Sequence, residues 1–249
     1  MYWFSHLQRR YEKKAMHEFI SDYWREFFPK LPAYQTFVAR LNQLEPTFQS
    51  IGAQLQARLS REQAAAVDHV IDSMPIALAR GGHADTAKVA RETADIGYCA
   101  SKKLFFHGVK LHTIASCRSG HLPLPQQLWL REASCNDLRS VKEQGIELPL
   151  TTLFGDKAYA DAAFTATLHE QGTTLRTPQK KLKGQEPSTW EKYYNRCVHR
   201  LRQPVESLFN WIQKKTNIHK AGTVRSDDAL RVHCWGKLSV AYLILLLNP

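Results

Sequence analysis

An α/β sheet covered by helices, with a helical segment in front of it, is the fold class this sequence predicts, and three observations predict it. Residues 1–62 repeat their apolar side chains with the period of a helix. From residue 67 the texture turns β-branched and alternating over three successive stretches. Helix and strand patterns then alternate, and helices run to the end.

Each element has its own signal. In the first segment Phe19, Tyr23 and Phe27 recur every four positions, Pro29 and Pro32 interrupt, and Tyr34, Phe37, Val38 and Leu41 resume the helical period. The chain opens on Tyr2, Trp3 and Phe4 with no capping residue before them. A helix beginning on three aromatics needs a surface to pack against, and an upstream segment supplying it is the expectation. Residues 67–72 (VDHVID) read as a first strand that ends near Pro75. The polar stretch from there to Gly108, with Gly81-Gly82 inside it, reads as a loop or irregular insertion. Residues 108–116 and 127–133 predict the second and third strands, with a turn at Ser119-Gly120. Asn136 caps a predicted helix over 137–144, which Gly145 stops. Residues 148–154 predict a fourth strand, 161–171 a helix closed by Gly172, and 173–177 a fifth strand ended by Pro178. A basic stretch over 179–184 leads into the closing helices.

The composition narrows the function. With 249 residues and 43% hydrophobic side chains the chain builds a sizeable core. Lys and Arg number 34 against 23 Asp and Glu, a net charge of +11, which suits a polyanionic partner, nucleic acid first. Five cysteines, an odd count with no CxxC pair, fit reduced thiols better than a disulfide framework or a zinc site. His107 and His112 lack a matching ligand set and read as ordinary strand and loop residues. The opening MYWFSHLQRR has no sustained apolar stretch, and the apolar run over 238–247 falls short of the ~20 residues that span a bilayer. A soluble cytoplasmic protein with no membrane partner is expected, and that apolar run reads as a buried helix.

Three carboxylates stand where phosphoryl-transfer chemistry would want them. Hard Mg²⁺ or Mn²⁺ prefers carboxylate oxygens, and two such ions ~4 Å apart serve the attacking and leaving oxygens of a phosphodiester. Asp72 lies inside an apolar strand, where an unpaired charge is costly; a turn aspartate before Pro75 is the plainer alternative. Asp68 shares its strand face but stands ~13 Å away, too far to join one metal pair. Asp156 sits at the carboxyl end of the fourth strand, where ligand groups collect in open α/β sheets. Gly155 permits a tight exit there, and Lys157 and Tyr159 are placed to position phosphate or the carboxylate itself. A capping role for Asp156 is the alternative, one that Asp161 fills better. Leu201, Val205, Leu208 and Ile212 form the apolar stripe of a helix, and Glu206 projects from nearly the opposite face with Arg202, Asn210 and Gln213. Pro204 marks the start or a kink of that helix. The spacing leaves room for hairpin strands and a helix between the aspartates, then for a helix, a strand and a basic loop before the glutamate.

At these residues the sequence resembles bacterial insertion-sequence transposases of the DDE type. The matching pieces are IDSMP over 71–75, YCASKKLFFHGVKLH over 98–112, LFGDKAY over 153–159 and RQPVESLFNW over 202–211. Together with LPAYQTFVARL over 31–41 they cover most of the chain in order. The resemblance implies a ribonuclease H-like mixed five-stranded sheet, with residues 63–249 as the catalytic domain behind a helical segment over 1–62, a remnant of a DNA-binding region. It implies Asp72, Asp156 and Glu206 as catalytic residues and ligands of two Mg²⁺ or Mn²⁺ ions. Strand cleavage would be followed by attack of the freed 3′-hydroxyl on target DNA. Arg202 corresponds to a basic position that touches phosphate, and His199 stands where related chains carry tyrosine. Family members have further helices before the segment that opens this chain, so a shortened start is expected.

Lys157, Lys180, Lys181, Lys183, His199, Arg202 and Lys214 are the candidate DNA contacts. Trp190, Tyr193 and Tyr194 have the faces to stack on unpaired bases, though packing against the sheet is the expected role for most of them. The expected partners are transposon ends and target DNA, with a homo-oligomer assembled on them. Two rival readings stand beside the transposase: a DNA-binding remnant without chemistry, and a ribonuclease H-like nuclease without strand transfer.

Overall fold

The computed structural model describes residues 1–61, 68–100, 103–146, 148, 150–179, 184 and 186–247. Four helices come first: α1 (Tyr2–Leu7), α2 (Lys13–Tyr23), α3 (Tyr34–Asn42) and α4 (Glu45–Arg61). Strands β1 (Asp68–Arg80), β2 (Asp95–Cys99), β3 (Leu104–Ser116) and β4 (Leu124–Glu132) follow, then α5 (Asp137–Gln144), β5 (Thr151–Phe154), α6 (Ala162–Glu170) and β6 (Thr173–Arg176). Helices α7 (Thr189–Arg202), α8 (Pro204–Thr216) and α9 (Asp227–Leu247) close the chain.

The central strand is β1. It runs antiparallel to β3 on one edge and parallel to β5 on the other, and β5 continues in parallel to β6. The far edge of β3 is shared: β2 pairs with its first residues and β4 with the remainder. Gly97 makes that arrangement possible, because a Cβ there would lie 2.2 Å from the Ala133 carbonyl oxygen at the end of β4. Leaving β2 aside, the order β4-β3-β1-β5-β6 is the mixed five-stranded sheet of a ribonuclease H-like fold, with helices on both faces.

Alternation along β1 decides which helices cover which face. Val70, Met74 and Ile76 pack on one side with Val205, Leu208, Ile212, Leu230 and Leu238 of α8 and α9. Ile71 packs on the other with Val141 of α5 and Phe164 and Leu168 of α6. The predicted cap holds: the Asn136 side chain accepts from the Leu138 and Arg139 amides, and Gly145 ends α5 at a φ of 66°.

Two strand expectations need correction. The first strand does not end near Pro75 but runs on to Arg80, with Pro75 opposite Lys110. Beyond Val70 it has left β5, so one edge carries no ladder that a proline would break. The stretch read as an irregular insertion contains β2, five residues (DIGYC) too short and too interrupted by glycine to show a strand pattern.

The opening aromatics find their surface within the chain. Trp3 donates its indole N–H to Ser239 Oγ of α9 at 2.9 Å, and the Tyr2 ring lies 4.8 Å from that of Phe48 on α4. Phe4 meets Trp24 edge-on at 4.8 Å. Phe37, Leu41 and Phe48 form a cluster with Val232 of α9, and Leu59 joins Tyr242 and Leu245. By length and composition α9 resembles a membrane span, yet 67% of its most apolar stretch is buried inside the fold, as the buried-helix reading of 238–247 requires.

Candidate active site

Asp72 occupies the middle of β1, on the face that packs against α8 and α9. Val70 is the last residue of β1 paired with β5, opposite Phe154. Asp72 and Asp156 each stand two residues beyond that pair, so the parallel register sets them side by side where the strands part. Glu206 arrives in the first turn of α8, which begins at Pro204. Arg202, the last residue of α7, ties two of the three together. Its Nη1 donates to Asp72 Oδ2 at 2.7 Å and its Nη2 to Glu206 Oε1 at 3.2 Å.

The two ends of that bridge differ in exposure. The Asp72 side chain is 18% exposed, that of Glu206 54%. Burial pushes the Asp72 carboxyl up to about 6, although the Arg202 guanidinium and the Ser73 amide, 2.8 Å from Oδ1, pull the other way. The neighbouring charges of Asp156 and Asp137 add to the rise. A carboxylate held that high is one that a further cation would stabilise strongly.

At Asp156 the capping alternative is realised. Its Oδ1 accepts the Ala158 amide at 2.7 Å, capping the short turn Lys157–Tyr159, while Asp161 caps α6 through the Phe164 amide. Gly155 is required for space rather than for a tight exit. A Cβ there would lie 2.9 Å from the Tyr159 ring and 3.1 Å from Ile71 Cγ2. Tyr159 is accordingly buried, too deep to hold a phosphate. Its hydroxyl has no hydrogen-bond partner among the described residues. Burial first, then the charges of Asp137, Asp72 and Asp156, hold that hydroxyl well above its usual range.

Asp137 is the acidic neighbour that sequence reasoning missed. It follows the capping Asn136, and a first-turn acid at a helix start is ordinary. In the fold it reaches β1 and β3: its Oδ1 accepts from Ser73 Oγ at 3.2 Å and from Lys110 Nζ at 3.1 Å. Only the packing of α5 against the sheet reveals that contact. The apolar stripe also needs correction, since Leu201 belongs to α7, across the break at Gln203, and is 46% exposed. Val205, Leu208 and Ile212 are buried as predicted.

Among the described residues no three of His, Cys, Asp and Glu are set together as ready metal ligands. The positive charge between Asp72 and Glu206 is the guanidinium of Arg202. The donors fit hard divalent cations by chemistry: three carboxylates, two of them already gathered around one positive group.

A family model, that of the transposase DDE domain, matches residues 67–244. This chain belongs to the DDE transposase family. The match spans the sheet, α5 to α8 and nearly all of α9. No curated protein and no solved structure matches the chain. Members of the family act on DNA and generally use divalent metal.

In this DDE-family chain the candidate DNA contacts spread over several elements. Lys157 is exposed beside Asp156, His199 is exposed on α7 one turn before Arg202, and Lys214 is exposed near the end of α8. Lys180, Lys181 and Lys183 lie outside the described residues. The aromatic residues of α7 depart from expectation. Trp190 and Tyr193 are 68% and 57% exposed, with ring centres 6.0 Å apart, and only Tyr194 packs against the core. Both exposed rings sit in the first turns of α7 and, three residues apart, share its outward face. Buried His107 and His112 are strand residues of β3, the first bonded to the Val89 carbonyl at 2.8 Å, the second stacked on Trp129.

Proposed function

We propose that this chain is an insertion-sequence transposase that cleaves DNA and joins the freed 3′-end to a target, with Asp72, Asp156 and Glu206 as ligands of two divalent cations. The observation that carries the reading is the shared guanidinium: residues far apart in sequence, Asp72 and Glu206, meet on Arg202, with Asp156 beside Asp72 by strand register. Bound Mg²⁺ or Mn²⁺ would activate the attacking oxygen and stabilise the leaving one. The chain's own share is positional. β1 carries Asp72, the end of β5 delivers Asp156 beside it, and α8 presents Glu206 from a helix start. Arg202 is the group a DNA phosphate would draw off the carboxylates, turning from internal counter-ion to phosphate ligand. Lys157, His199 and Lys214 would hold the backbone without reading sequence. We place the protein in the cytoplasm, on the nucleoid, assembled as a homo-oligomer on paired transposon ends.

The test is a cleavage and strand-transfer assay on DNA carrying the element's ends, with Mg²⁺ or Mn²⁺ supplied. Asp156→Ala is expected to abolish metal-dependent nicking and joining while leaving duplex binding within about twofold, since the change removes a charge rather than a phosphate contact. Binding without cleavage in any divalent metal would favour the DNA-binding remnant. Nicking without joining would favour a nuclease.

A further inference from the structure

Away from the three carboxylates, a cavity of about 240 Å³ opens where α2 and α3 meet α9 and the loop between α8 and α9. Its walls carry Lys13, Lys237 and Arg225, together with the uncharged polar side chains Asn42, Thr223 and Ser226. Lys237 is 1% exposed, among the largest fully buried side chains of the protein. Of its three N–H donors one reaches an acceptor, the Asn217 carbonyl at 3.2 Å, while the Tyr11 ring lies 6.0 Å from the ammonium. Lys13 donates to Asn42 Oδ1, and Arg225 at the mouth is caught by the Gly222 and Val224 carbonyls at 2.7 and 2.8 Å. All of these partners are uncharged.

A buried ammonium is costly unless an opposite charge faces it. The carboxylate whose charge reaches both lysines is Glu12, which is not on the cavity wall and accepts the Thr223 hydroxyl at 2.9 Å. Asp227 and Asp228, in the first turn of α9, also stay off the wall. No ion pair joins Lys13, Lys237 or Arg225 to a carboxylate among the described residues. Burial lowers both lysines to about 8, the response of cations short of countercharge. His6 and His233, whose rings feel the charge of Lys237, are driven down by burial and by that charge, so they stay neutral. Three cations and two neutral side chains with donors to spare, Asn42 and Ser226, surround a space of this size whose wall carries no carboxylate.

We propose that this cavity is an anion site for a phosphate group, held by Lys13, Lys237 and Arg225 and bounded by Ser226, which caps the N-terminus of α9. It shares no residue with the carboxylate site, so it stands whether or not that site performs strand transfer. The phosphate belongs either to a free phosphorylated small molecule or to the backbone of bound DNA.

The test uses the full chain and inorganic phosphate as the probe, by calorimetric titration at ionic strength matched with chloride. Phosphate is expected to bind and to raise the melting temperature above the chloride control. Arg225→Gln lies on an exposed loop, and is expected to weaken phosphate binding by about tenfold or more. Lys237→Met keeps the buried volume and is expected to abolish phosphate stabilisation while raising the melting temperature of the free protein. Duplex anisotropy separates the sources: competition by free phosphate and weaker duplex binding in Arg225→Gln assign a DNA phosphate, and unchanged duplex binding assigns a small molecule. Phosphate that stabilises no better than chloride, or binds Arg225→Gln and Lys237→Met as well as wild type, overturns the proposal.

Discussion

Replacing Asp72 by asparagine should make this protein more stable at neutral pH, even as it removes a proposed metal ligand. The carboxyl rises from an ordinary 3.8 to about 6, burial being the leading cause, and that rise is already net of the attraction to Arg202. At ~1.4 kcal/mol per pH unit, keeping Asp72 ionised in the folded state costs roughly 3 kcal/mol above pH 6. Asparagine has the shape of the protonated side chain and carries no charge, so most of that cost disappears. Allowing for solvent at a side chain 18% exposed, a gain of about 1–3 kcal/mol is expected. The sign follows from linkage. Between about pH 4 and 6 the folded wild type binds more protons than the unfolded chain, so its stability falls as pH rises through that window. Below it the two proteins converge, because Asp72 is protonated in both states of the wild type. Urea denaturation from pH 4 to 8, without divalent metal, measures the difference. Added Mg²⁺ should then stabilise wild type and not Asp72→Asn. An Asp72→Asn protein less stable than wild type at pH 8, or a difference that does not change across the window, would refute the reasoning.

Gly155→Ala forces a methyl group against the Tyr159 ring and Ile71, and should cost about 1–3 kcal/mol in urea denaturation. Asn136→Ala removes the acceptor for the Leu138 and Arg139 amides and should cost ~1 kcal/mol, read in the same way. Lys157→Ala should weaken duplex binding alike for all sequences, and lower the slope of log affinity against log salt by about one, as anisotropy titrations at several salt concentrations would register.

What the sequence determined by itself was local or periodic. The cap at Asn136, the stop at Gly145, the helix start at Pro204 and the position of Asp156 after a strand all depend on a few adjacent residues, and all appear in the fold. The order of strand and helix patterns carried the fold class, because burial imposes a period of two or 3.6 wherever one face meets the core. The quoted motifs carried the family for the same reason, being contiguous.

Tertiary structure decided everything that depends on which segments lie side by side. The free edge of β1 beyond Val70 tolerates Pro75, so the strand runs past a residue that ends most strands. Strand β2 forms because β3 offers a vacant length of edge, a partner that five residues with a glycine at their centre cannot announce. Trp190 and Tyr193 stay in solvent because, three residues apart, they share the face of α7 turned away from the core that the adjacent Tyr194 touches. Asp137 joins the acidic neighbourhood through the packing of α5, and Arg202 reaches Asp72 across 130 residues of chain and joins it to Glu206. Charge separates the two kinds of knowledge most sharply. A sequence records that a side chain is ionisable, but burial and the nearest counter-ion set its energy, and the folded chain alone supplies both.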